Sequence, residues 1–148
     1  MKKLLIATTL IASFGAHAKW VNLDSSDDLT GKITYQSMVP SIKGKAAVII
    51  RCSGGELDVI TAFGTYIDDE SQIIKYKVDS GEIMKDYQNP SSGGKALFSH
   101  DADSFLAQLT GGKKLVIRAK NYRYSSLTAT FDIGGIDEEL KRIKSKCK

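Results

Sequence analysis

Histidine, cysteine, proline and tryptophan are all scarce here: two, two, two and one among 148 residues. Each shortage narrows the chemistry. His17 lies in the N-terminal apolar stretch, which leaves His100 as the one imidazole beyond it. A Ser-His-Asp site needs a base held by an orienting carboxylate. Asp101 and Asp103 do sit near His100, but they read as caps at a helix start, and no nucleophile elbow is present. With one imidazole, and with both thiols assigned below to each other, a zinc site is disfavoured. Neither a P-loop nor a G-x-G-x-x-G occurs, so no cofactor is expected. A carboxylate pair for glycoside hydrolysis is left open by sequence, though so small a sheet offers little room for a cleft. Excess charge is scarce too. The formal net charge is +4, and Lys2 and Lys3 supply two of it, so residues 19–148 carry 4 − 2 = +2. That balance does not ask for nucleic acid. No second long apolar run follows the N-terminal one, so no transmembrane segment is expected beyond it.

What is present starts with Met1-Lys2-Lys3, an apolar stretch from Leu4 to Phe14, and Gly15-Ala16-His17-Ala18. A basic n-region, an apolar h-region and an A-x-A site predict a cleavable signal peptide over residues 1–18. The expected product begins at Lys19, has 148 − 18 = 130 residues and is periplasmic. No cysteine follows the cut to carry a lipid. A retained N-terminal anchor is the alternative. Residues 19–148 suit one domain with its own core.

Two stretches organise that domain. Ala46-Ala47-Val48-Ile49-Ile50-Arg51-Cys52 reads as a buried strand, with Cys52 on the same face as Val48 and Ile50. Ile136, Leu140, Ile143 and Cys147 recur at helical spacing and share one face. Both cysteines therefore aim at apolar surfaces. In an oxidising compartment they predict one disulfide, Cys52–Cys147, fastening a terminal helix to the sheet. Two buried thiols are the alternative. Acidic Asp137, Glu138 and Glu139 precede basic Lys141, Arg142, Lys144 and Lys146, in the sense the helix dipole favours.

Strands are expected over residues 31–39, 46–52, 56–62, 72–79, 82–87 and 95–99, and around Leu115–Ala119 and Leu127–Ile133, which alternate most cleanly. A short helix is expected after Asp101, with Asp101 or Asp103 as its N-cap and Gly111-Gly112 as its stop. Asp24-Ser25-Ser26-Asp27-Asp28 lacks the glycine and distal glutamate of a calcium loop and reads as solvated. Trp20 reads as a core or rim plug. The fold class is mainly β with two helices: a single-domain antiparallel sandwich or curled sheet with the C-terminal helix packed on it. The surface candidates for a partner are Tyr87, Tyr122, Arg123 and Tyr124, because tyrosine and arginine on turns favour contact. The competing reading is that these tyrosines cap the core at sheet ends.

Trp20-Val21, Val48-Ile49-Ile50-Arg51-Cys52, Val78-Asp79-Ser80-Gly81-Glu82, Lys95-Ala96-Leu97-Phe98, Phe105 to Leu109, Leu115 to Arg118, Thr128-Ala129-Thr130-Phe131-Asp132-Ile133-Gly134-Gly135-Ile136 and a near-terminal Cys147 occur in an order that resembles the VasI/TagO group of type VI secretion-associated exported proteins, with its small bacterial and phage-borne relatives. Lys77 stands where that group often has arginine, and Tyr87 where it tends to have tryptophan. The resemblance implies an accessory protein, not an enzyme, that binds another envelope protein. The alternatives are an envelope-located inhibitor or phage exclusion factor and, further off, a small cell-wall hydrolase.

Overall fold

A computed structural model describes residues 20–148. The expected signal peptide, its cleavage site and Lys19 lie outside the described residues. In chain order the elements are β1 (Val21–Asn22), β2 (Ser25–Ser26), β3 (Ile33–Pro40), β4 (Ala46–Ser53), β5 (Glu56–Phe63), β6 (Gln72–Val78), β7 (Met84–Pro90), β8 (Ala96–Ser99), α1 (Ala102–Leu109), β9 (Lys114–Lys120), β10 (Ser126–Asp132) and α2 (Ile136–Lys146). All strand pairs are antiparallel, in one sheet of order β1-β3-β4-β5-β8-β7-β6-β9-β10, with β2 also on β3. The fold is thus the expected α+β class, realised as a curled sheet.

The curl is visible where its two ends meet. The amide N–H groups of Ile42 and Lys43, in the β3–β4 turn, donate to the Thr130 carbonyl of β10 at 2.7 and 3.3 Å, and Thr130 N–H donates back to Lys43 O at 3.0 Å. Gly44 makes this approach possible. Its φ is +81°, and a Cβ there would lie 2.7 Å from the Thr128 carbonyl oxygen. The same crossing buries Thr130, a residue that strand alternation places on the polar face.

Curling turns one face of every long strand inward. Val48, Ile50 and Cys52, Ile74 and Tyr76, Leu115 and Ile117, and Phe131 join one buried cluster. Both helices complete it. Phe105, Leu106 and Leu109 of α1 are buried, with Phe105 edge-on to Tyr76 at 4.8 Å between ring centroids. Asp101 is the N-cap: it accepts from Ser104 N–H at 3.0 Å and Ser104 O–H at 2.8 Å, while Asp103 stays in the first turn. Ile136 and Ile143 of α2 are buried against β3 and β4.

Cys52 and Cys147 form the expected disulfide, with Cα atoms 5.5 Å apart across a sequence separation of 95. Polar contacts hold α2 as well. Arg142 forms an ion pair with Asp24 at 2.9 Å and donates to Ser37 Oγ at 2.9 Å and Gln36 O at 3.1 Å. Ser37 O–H in turn donates to Glu139 at 2.6 Å. Asp24 thus anchors α2 from a stretch that is otherwise exposed, as expected. The dipole argument placed Arg142 on the helix but gave no sign of this role, because Asp24, Gln36 and Ser37 lie more than a hundred residues away in sequence.

One other expectation shifts. The strand expected over 82–87 runs from Met84 to Pro90, since the preceding turn is longer. Asp79 (φ +50°) accepts from Lys113 and Lys114 N–H groups, which ties that turn to β9. Pro90 closes the strand at its last position, where a missing N–H does least harm. Trp20 plugs the rim: its indole N–H donates to Gly134 O at 3.1 Å beside the start of α2.

Candidate functional site

The four predicted partner residues fall at one end of the curled sheet and on its outer face. Asn121 to Ser125 make the β9–β10 turn. Tyr124 N–H donates to Asn121 O at 2.8 Å, and Asn121 Oδ1 accepts from Arg123 and Ser125 N–H groups, both at 3.0 Å. This pattern closes the turn with Tyr124 at φ +60°. Hairpins of this size usually give that left-handed position to glycine. A bulky residue there is strained, and Tyr124, 82% exposed, has little packing to offset the strain.

Tyr122 and Arg123 sit differently. The Tyr122 ring lies 5.5 Å from Tyr66, and the Arg123 guanidinium lies 5.2 Å above the Tyr122 ring. Tyr122 N–H donates to Ile67 O, so this residue ties the loop before β6 to the turn. Burial, then the charges of Asp69 and Asp68, push the Tyr66 phenol above its ordinary value. Tyr87 is half exposed on β7, directly opposite Ile73 of β6, with its ring edge-on to His100 at 5.7 Å. Asp101, the carboxylate nearest His100 in sequence, is held below its usual range by the backbone and side-chain bonds from Ser104, so it serves the helix.

Of the four, Tyr124 lines an open surface, and Tyr87 lies across from Ile73, which lines it too. Tyr124, Ile73, Lys75, Lys85 and Lys120 line an open cleft of about 450 Å³ together with Asp68 and Glu70. A smaller groove of about 200 Å³ continues the face past Lys75 to Lys77, Ile83, Val116 and Arg118. Ile73 is 63% exposed and Ile83 70%. Sequence reasoning singled out the tyrosines and not this face. The signal was there: Ile73, Lys75 and Lys77 share strand parity, as do Val116, Arg118 and Lys120. Which strands bring them together depended on a pairing, β6 with β9, that alternation alone does not give.

The I-R-C motif resolves structurally. Arg51 pairs with its cross-strand partner Asp58 at 2.6 Å and lies 5.4 Å above the Phe98 ring. Among the described residues, no three of His, Cys, Asp and Glu are gathered to hold a metal ion, and no helix is long and apolar enough to cross a membrane. Comparison of the chain with protein-family models, curated proteins and solved structures finds no match.

Proposed function

We propose that this protein is an exported, non-enzymatic binding protein of the periplasm that engages another envelope protein, as an accessory of the type VI secretion kind that the sequence resembles. The observation that carries the reading is Tyr124. A strained, exposed tyrosine occupies a position where glycine would be easier, beside a cleft lined by Ile73 and basic side chains. Strain of this sort collects at functional sites. Tyrosine brings large contact area at low entropic cost, which suits an interface. The Cys52–Cys147 disulfide fits an oxidising compartment.

The test uses Tyr124→Gly, which relaxes the backbone and removes the ring. The variant should melt no earlier than the parent and capture less partner from a detergent extract of the envelope. Equal capture by parent and variant would contradict the reading.

A further inference from the structure

The outer face beside Tyr124 has a charge pattern of its own. Lys75 lies directly opposite Lys85 on one side and Arg118 on the other, so three cations form one row across β7, β6 and β9. Strands lie about 4.8 Å apart, so the row spans about 10 Å. Like charges directly opposite each other destabilise a sheet. Lys77 and Lys120 flank the row on the same face. Among the described residues, the ion pairs are Arg51–Asp58, Arg142–Asp24, Arg142–Glu139 and Lys144–Asp103, and none involves these five cations. Their one side-chain bond goes to a neutral group, from Arg118 Nε to Thr128 Oγ1 at 3.1 Å. A chain whose net charge beyond residue 18 is only +2 has gathered unpaired positive charge in one place.

We propose that this face binds an acidic segment of a protein partner, with carboxylates on the Lys85–Lys75–Arg118 row and apolar side chains on Ile73 and Ile83. The inference rests on the binding-protein reading and adds the partner's chemistry. Charge complementarity requires an anion. The exposed isoleucines on either side of the row require apolar groups in the same ligand, which a polyphosphate lacks. A cleft continued by a groove admits a narrow extended segment better than a flat lipid surface. An acidic peptide with interspersed leucines satisfies both demands.

The experiment measures anisotropy of a short fluorescent peptide of glutamates with interspersed leucines. Polyphosphate and phosphatidylglycerol-containing vesicles serve as competing probes. Lys75→Glu and Lys85→Glu should each weaken peptide binding by about tenfold or more, and raised salt should do the same. Both variants place opposite charges across strands, so neither should melt earlier. Ile73→Ser should weaken the peptide and leave polyphosphate unaffected. Peptide binding that survives Lys75→Glu overturns the proposal, as does tighter binding of polyphosphate or vesicles than of peptide. Envelope capture that is lost in Tyr124→Gly but kept in Lys75→Glu would remove this face and leave the binding-protein reading standing. Peptide binding that follows the charge variants, with no envelope capture by the parent, would support the face and remove the envelope reading.

Discussion

Tyr122 and Tyr124 are two residues apart and have different surroundings. The Tyr122 ring packs against Tyr66, and its amide bonds the Ile67 carbonyl. Tyr122→Ala should therefore cost about 0.5–1.5 kcal/mol, the range for an aromatic pair, seen as a lower midpoint in urea. Tyr122, 49% exposed, packs on another loop tyrosine, whereas Tyr124, 82% exposed, is left open to solvent. Sequence placed both on a turn but could not separate them. A tyrosine gives no sign that its backbone is left-handed, and Tyr66 lies in a different loop. A second residue-scale prediction concerns Thr61, whose hydroxyl is buried without a hydrogen-bond partner. Thr61→Val keeps the shape, removes the stranded polar group and should raise stability by about 1 kcal/mol, measured by the same urea titration.

At the scale of elements, α2 is held in three ways: by Ile136 and Ile143, by Arg142, and by the disulfide. The chain-entropy model gives a loop of about 95 residues roughly 4–5 kcal/mol, an upper figure. Cys52→Ser or Cys147→Ser should lower stability by roughly 2–5 kcal/mol, with early proteolysis after Gly134 as the local sign of a loosened helix. The polar clamp adds a pH dependence. Burial raises the Asp24 carboxyl, but hydrogen bonds from Arg142 and the Gln36 amide and the charges of Arg142 and Lys146 outweigh it, so its pKa lies below the ordinary 3.8. A depressed carboxylate stabilises the fold above its unfolded pKa. That contribution is lost as pH falls below about 4 and through the lower folded value. Acid should thus loosen α2 against β3, and Asp24→Asn should flatten that part of the stability–pH curve. The disulfide and the apolar face of α2 were legible because both depend on local periodicity. The Asp24–Arg142–Ser37 cluster was not, because it joins three distant segments.

Across the whole molecule, strand positions and the fold class were readable from alternation, and the curl was one of two architectures that alternation allowed. The closing contact at Lys43 and Thr130 was not readable, since Thr130 alternates as an outward residue. The cation row was hidden for the same reason: Lys75, Lys85 and Arg118 are scattered in sequence and become one row only in the observed register. The central claim is that the protein works by contact at the Tyr124 end of this outer face. Site-specific photocrosslinking in intact envelopes tests it most directly. A benzophenone amino acid in place of Tyr124 is compared with the same group in place of Leu29, which is 94% exposed in a turn outside that face. The account predicts a discrete crosslinked product from position 124 and none from position 29. No product from position 124, or the same product from both, would contradict it.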